Sequence, residues 1–593
     1  DIKSVFMLAP IDFTRTTVPD VITTTLLPYC DGDVSDQQGQ HFYADSRDAD
    51  SDNVLSSDIW VMGADHDFFN SDWTPPTPGA ADDWTTGGQS ATDPVCGLSA
   101  PTTTRLSATQ EYQVGSAYLA GFFELTLGGQ EQYLSMFDGA GAEPSSVSSY
   151  ADVRTVAQEP ASLRDDITSF ASSSGVTASG SATATICADQ SNRTVTLPLP
   201  SCPTGLTNQQ VPYWTPANYA PNVPLNQMTH LTWTDGTGKL TVAIPPSERN
   251  VSKDQEMTVN MSPDQNVTAG TDLTITVTDR AGHSYSTLAS SLNKWAVTRM
   301  PSSTSTLLDK IVLQQVHLPT ATLRAAGLDL NDITSVSFQA AVGADGTASG
   351  GEFLQDLTFD SRGLGTPSAH ARPTVNVAST KVQEGTSAGT DQVAVYLSHP
   401  EVSTVTTYLS ALGSATGLVG LAMDPVTFKP GQTCQVVTVP SQGSTAPSAT
   451  PTTAYKVAVS DPHNAVLGTS DFGTVTVAAN AVTTGTVAPA DGAAGNPCDE
   501  LSALSHPGKL AVSVHGKVTA GSTVTVTGHG YRDGESVTFS LGGTAVGSAI
   551  ADASGSVSFQ LTIPATQATG QVAVSAVGAG SGYTSSAQLT VRQ

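Results

Sequence analysis

Two short stretches carry the residue types of acid–base chemistry. PYCDGDVSD, residues 28–36, sets carboxylates on a turn after one apolar run. VMGADHDFFN, residues 61–70, sets His66 on a turn after the next. Histidine is the ordinary side chain that titrates nearest neutral pH. A carboxylate on one ring nitrogen fixes its tautomer and stabilises the imidazolium, leaving the other nitrogen to take a proton from a nucleophile. Asp31 is the candidate acid, with Asp33 nearby on the same turn as the alternative, and His66 is the candidate base. Asp65 and Asp67 flank His66 and raise its proton affinity. Two plainer readings compete. Asp-Gly-Asp is a common turn sequence. DGDVSD also offers calcium three carboxylates in six residues, without EF-hand spacing or its closing glutamate.

Such chemistry needs strands that deliver both turns to one edge. VFMLAP (5–10), VITTTLLPY (21–29) and DIWVMGA (58–64) read as buried strands. Asp31 and His66 are 35 residues apart, room for one helix between two parallel strands. Loops after parallel strands converge at the carboxyl edge of a sheet. Downstream, Ser107 and Gln110 have capping-box spacing. Val114, Ala117, Tyr118, Gly121, Phe122 and Leu125 then recur on one helical face. Gly128-Gly129 stops that helix, and EQYLSMF predicts a second short one. Residues 71–103 form a long Pro/Gly/Asp loop, the kind that is functional or disordered.

The order strand–Asp, strand–Gly-x-x-His, closing helix resembles secreted bacterial α/β-hydrolases of the serine esterase type, similar to cutinase-like and polyester-degrading enzymes. The resemblance covers residues 1–160. It implies Asp31 as the acid, Val34 as the apolar position three later, and His66 as the base. That family carries its serine in G-x-S-x-G, between the fifth strand and the next helix. If VFMLAP is the sixth strand, the resemblance implies that the serine and oxyanion donors are expected upstream of this sequence. GTSAG (385–389) and GHSYS (282–286) lie in β-patterned segments and precede no helix. The sequence opens on Asp1 rather than Met. Three parallel strands cannot close a core alone. The expectation is therefore a second polypeptide, the cleaved N-terminal half, that completes the domain.

The fold class expected is multidomain: a partial α/β-hydrolase sheet, then several all-β sandwich domains. Period-two alternation dominates residues 161–370. There, DITSVSF with LQDLTF resembles the closing strands of jelly-roll carbohydrate-binding modules. Residues 371–480 resemble a Calx-β domain. Residues 481–507 read as an Ala/Gly/Pro/Thr linker, and 508–593 resemble a bacterial Ig-like domain. Tyr213, Trp214 and Trp233 are candidates for stacking on sugar rings or polymer. No cofactor is required. Structural calcium is an option in the jelly-roll, where Asp329, Asp332 and Asp356 lie near strand ends.

Composition sets the remaining bounds. The net charge of −29 disfavours nucleic acid and anionic membranes as partners. No apolar run is long enough to span a bilayer as a helix. The six cysteines form no CxxC. In an acidic, Ser/Thr-rich chain they imply disulfides and an extracellular location. The simplest of fifteen pairings is sequential: Cys30–Cys96, Cys187–Cys202 and Cys434–Cys498. The leading expectation is a secreted serine ester hydrolase acting on an ester or polymer, with this chain giving the acid and base. The alternative is a non-enzymatic surface-binding or adhesive β-sandwich protein.

Overall fold

The computed structural model describes residues 2–592 apart from 48–51, 75–82, 87–89, 99–104, 189–198, 216, 218, 221–225, 268–269, 344–345, 368–371, 413–421, 484–496, 499–507, 514–516, 530, 532–535, 553–555 and 579–583. The chain divides into two compact units, 1–368 and 369–593. Much of the expected loop at 71–103 and most of the expected linker at 481–507 lie outside the described residues.

Unit 1 begins with a four-stranded sheet in the order β1 (Ser4–Leu8), β2 (Ile22–Pro28), β3 (Ser56–Val61), β4 (Val153–Gln158). β1, β2 and β3 are parallel, as the apolar runs predict. β4 runs antiparallel to β3, a strand that the sequence reading leaves out. Every residue of β2 and β3 is buried, which is why threonines on β2 pair locally: Thr24 and Ser57 hydroxyls lie 2.9 Å apart. Helix α1 (Gln40–Ser46) fills the crossover between β2 and β3. A single turn, α2 (Asp83–Thr86), follows, and then α3 (Ala108–Thr126).

Helix α3 starts at the predicted capping box, with Ser107 and Gln110 each satisfying the other's backbone N–H. Val114, Tyr118, Phe122 and Leu125 pack under the sheet with Ile59, Val61 and Phe137. Phe6 of β1 meets Phe122 edge-on at 5.5 Å. EQYLSMF forms a 3₁₀ segment rather than an α-helix.

The rest of unit 1 is a sandwich of two antiparallel sheets. One joins β5 (Arg164–Thr168), β7 (Thr183–Cys187), β8 (Met228–Trp233), β10 (Glu256–Pro263), β13 (Gln314–Pro319) and β15 (Gly350–Asp360). The other joins β6 (Val176–Ser179), β9 (Lys239–Ala243), β11 (Leu273–Asp279), β12 (Ser284–Leu288) and β14 (Ile333–Ala340). Alternating Leu273, Ile275 and Val277 of β11 lie beside Ala340, Phe338 and Val336 of the neighbouring strand β14, all on the core side of that sheet. The sandwich meets the first sheet at β4. The Gln315 side chain donates to Ala157 O (2.8 Å) and accepts from Ala157 N–H (3.0 Å), so its amide closes the β4 edge as a strand would.

Unit 2 holds two further apolar cores, one around Val395, Leu409 and Val457, the other around Val526, Phe539 and Val574. GTSAG forms the connection between strands Thr380–Gln383 and Gly389–Leu397 and precedes no helix. The three disulfides pair sequentially, with Cα–Cα distances of 5.5, 4.8 and 5.9 Å for Cys30–Cys96, Cys187–Cys202 and Cys434–Cys498.

Gly115 marks where α3 meets the segment after His66: a Cβ there would lie 2.6 Å from a ring carbon of Phe69. Gly115→Val is therefore expected to cost about 1–3 kcal/mol, since overpacking must displace the ring. A lower thermal midpoint by calorimetry checks this, and an unchanged midpoint contradicts it.

Candidate active site

The two chemical turns are extensions of β2 and β3. Tyr29 N–H donates to Val61 O (3.0 Å) and Cys30 N–H to Ala64 O (2.8 Å), so the strand pair stays zipped up to both turns. Asp31 follows at once and is 1% exposed. Its Oδ1 accepts the backbone N–H groups of Asp33 (3.0 Å) and Val34 (2.6 Å). Its Oδ2 lies 3.0 Å from His66 Nδ1. A buried carboxylate needs such partners.

Both turns are braced from outside. Cys30 is bonded to Cys96, and the Trp84 indole donates to Cys30 O (2.6 Å). Gly32 N–H donates to Asp83 (2.8 Å), and a Cβ on Gly32 would sit 2.5 Å from the Asp83 Cβ. On the His side, Gly63 takes φ +75°, a left-handed turn that favours glycine. Asp65 N–H donates to Glu111 of α3 (2.8 Å), and the Asp65 carboxylate pairs with Arg105 at 3.2 Å. Arg105 also donates to Cys96 O (3.0 Å), tying the His turn to the disulfide of the acid turn.

His66 thus presents Nδ1 to Asp31 and Nε2 outward. Asp33 is 71% exposed, and its carboxylate stands 3.7 Å from Nε2. The structure brings both acid candidates to the ring, one on each nitrogen. Among the described residues no hydroxyl or thiol bonds Nε2. The half-exposed Trp73 stacks near the imidazole, centroids 6.2 Å apart and planes at 26°. Burial works against a charged imidazolium. The Asp31 hydrogen bond and charge, followed by the charges of Asp33 and Asp83, outweigh it and raise His66 to about 9. Burial raises Asp83 to about 6, against the Gly32 N–H and with help from Asp31 and Asp67.

The other expected sites fall elsewhere. Tyr213 and Trp214 are fully buried and Trp233 is 4% exposed, which corrects the expectation that they stack on a ligand. Tyr213 and Trp214 lie in a short 3₁₀ turn packed on α1, where His41 bonds Thr215 O (2.8 Å), and Trp214 meets Phe353 edge-on. Trp233 fits a slot left by Gly238 and Gly350. Asp329, Asp332 and Asp356 do not form a ligand set: Asp332 pairs with Arg280, Asp356 with Arg47, and Asp329 accepts from Asn331 (3.0 Å). Among the described residues, Asp65, Asp67 and Asp83 do place carboxylate oxygens within 4.8 Å of one another.

No protein family and no curated protein matches the chain. Solved structures similar to parts of it include CBD12 of CALX1.2, with 13% identity over 34% of this chain and 79% of that one, TM-score 0.16. A biofilm-associated protein BSP domain shows 10% identity over 60% of this chain and 78% of that one, TM-score 0.18. A 1.5-MDa bacterial ice-binding adhesin shows 15% identity over 60% and 91%, TM-score 0.12. Scores of this size assign neither a family nor an activity.

The raised His66 value has a linked effect on stability. The pair stabilises the fold fully below pH 6.5, where the unfolded imidazole is also charged, and this stabilisation is lost as pH rises through about 9. NMR titration of His66 should give a value near 9, and Asp31→Asn should bring it down towards 6.5. A wild-type value near 6.5 would contradict the Asp31 contact.

Proposed function

We propose that this chain is the acid-and-base part of a secreted serine ester hydrolase of α/β-hydrolase type. The observation that carries the reading is the 3.0 Å contact between Asp31 and His66 Nδ1 at the carboxyl ends of adjacent parallel strands. His66 Nε2 takes the proton of a serine hydroxyl as its oxygen attacks the ester carbonyl. It returns that proton to the departing alcohol, and then activates the water that releases the acid. Asp31 holds the imidazole and stabilises its charged form. Asp33, exposed and 3.7 Å from Nε2, swings aside when the serine arrives.

A second polypeptide with the front half of the sheet supplies that serine and the oxyanion donors. Two surfaces support this. β1 ends the sheet with an unpaired edge among the described strands, and Ile2, Leu8 and Ile11 around it are exposed. On α3 and its C-cap, Tyr112, Leu119, Phe123 and Leu127 form an exposed apolar row at i, i+7, i+11 and i+15 beside the buried one. An edge and a helix face left open side by side suit an added strand and helix. The three disulfides accord with an oxidising, extracellular compartment. The β-rich cores of unit 2 serve as spacers or surface binders, and structural calcium is an option for the Asp65–Asp67–Asp83 set. The alternative is a non-enzymatic surface-binding protein, favoured by the two apolar cores of unit 2, which ester chemistry does not use.

A fluorophosphonate probe on the purified protein, read by gel and intact mass, separates the two. Labelling of a co-purifying chain supports the hydrolase, and a single unlabelled 60.8 kDa chain favours the alternative. In the probe-reactive assembly, assayed before labelling, Asp31→Asn should lower kcat by roughly 10⁴, whereas Asp33→Asn should change it only a few-fold.

A further inference from the structure

The acid turn rests on a residue far from it in sequence. The segment 298–313, which leads into β13, crosses beneath the end of β2. Met300, Leu307, Leu308 and Val312 from it share one apolar cluster with Tyr29, Cys30, Trp84 and Cys96. Tyr29 donates its hydroxyl proton to Pro301 O (2.8 Å) and accepts from Lys310 N–H (3.3 Å).

Lys310 itself is 2% exposed. Its ammonium donates to Ser35 O (2.7 Å), Gln209 O (2.8 Å) and Leu307 O (3.0 Å). An ammonium has three N–H donors, and three main-chain carbonyls from three separate segments use them all. Burial pushes Lys310 down to about 7, against the fields of Asp31 and Asp36. The three carbonyls therefore serve it as hydrogen-bonding partners in a site that would otherwise disfavour a cation. Ser35 lies on the far limb of PYCDGDVSD, and Tyr29 on its near limb. One segment of the sandwich thus holds both ends of the turn that presents Asp31.

We infer that Lys310 is a positioning residue for the acid of the Asp31–His66 pair, so that the β-sandwich is part of the site rather than a spacer behind it. The inference rests on the hydrolase reading only for its catalytic consequence, since the geometry it concerns is that of the pair. Without the ammonium, Ser35 O loses its donor, the turn relaxes, and Asp31 shifts from Nδ1. A displacement near 1 Å costs roughly 10²-fold in rate where orientation matters.

The test uses the full chain and reads the His66 titration by NMR. Lys310→Met is expected to keep the fold but bring His66 down from about 9 by a unit or more. In the probe-reactive assembly, kcat should fall 10- to 100-fold with little change in KM. Met300→Ala, which loosens the same cluster without touching the ammonium, should lower the thermal midpoint and leave His66 near 9. A folded Lys310→Met protein with His66 unchanged overturns the inference. So does a Met300→Ala protein that shifts His66 as far as Lys310→Met does. Where Lys310→Met does not fold, Lys310→Gln, which removes the ammonium but keeps a polar head, decides: a lowered His66 value supports the inference and an unchanged one overturns it. A chain that no probe labels, yet whose His66 responds to Lys310, leaves the positioning role standing and removes only the esterase reading.

Discussion

A carboxylate held at 1% exposure is stable only if its oxygens are satisfied, and Asp31 is the point on which the N-terminal architecture converges. One oxygen takes two backbone N–H groups of its own turn, and the other faces His66. For both contacts to exist, β2 and β3 must be parallel and in register to their last residues. The turn after β2 must also be held open against His66. The disulfide, the Trp84 indole, Asp83 and Lys310 supply that bracing from four directions. Each of them meets the acid turn by its backbone or its covalent bond, which leaves the Asp31 side chain for the imidazole.

The same constraint explains why charge sits where it does. His66 carries Asp31 on one side and has Asp33 and Asp83 close by, an acidic surrounding that keeps the imidazole charged at neutral pH. A charged histidine is a proton donor, not a base. Removing Asp33 from Nε2 and placing a neutral hydroxyl there takes away one of the anions that stabilise the charge. It also buries the ring further, and both changes lower the pKa towards the range where a base is useful. The exposed Asp33 is thus compatible with a site that becomes basic only when completed.

Much of this was legible in the residues. The apolar runs marked β1, β2 and β3, the capping box and period marked α3, and the Asp and His turns were placed at adjacent strand ends. The pairing of cysteines followed sequence order. What escaped was long-range. Trp73 gives no periodic signal in a loop of Pro and Gly, and Arg105 and Glu111 look like ordinary surface charges until Asp65 is placed between them. Lys310 lies 275 residues from the carbonyl it holds. Trp214 and Trp233 misled for the opposite reason. An aromatic residue reads the same whether it faces ligand or core, and here glycine slots and the α1 contact bury both.

The first sheet is finished on one side and open on the other, and this asymmetry gives the domain a direction. At β4 the Gln315 amide takes the outward N–H and C=O of Ala157, so the sandwich meets the sheet at that edge. At β1 the edge ends in exposed apolar residues, with the bare row of α3 alongside. Among the described strands, β1 is thus the edge without such a cover. Parallel strands added there end at the same carboxyl edge as β2 and β3, so the turn after an added strand approaches from the β1 side. His66 Nε2 points away from Asp31, and the exposed carboxylate of Asp33 stands 3.7 Å from it. Under the proposed hydrolase reading, a strand end bearing a nucleophile would continue the sheet past β1 and take the place of Asp33 at Nε2.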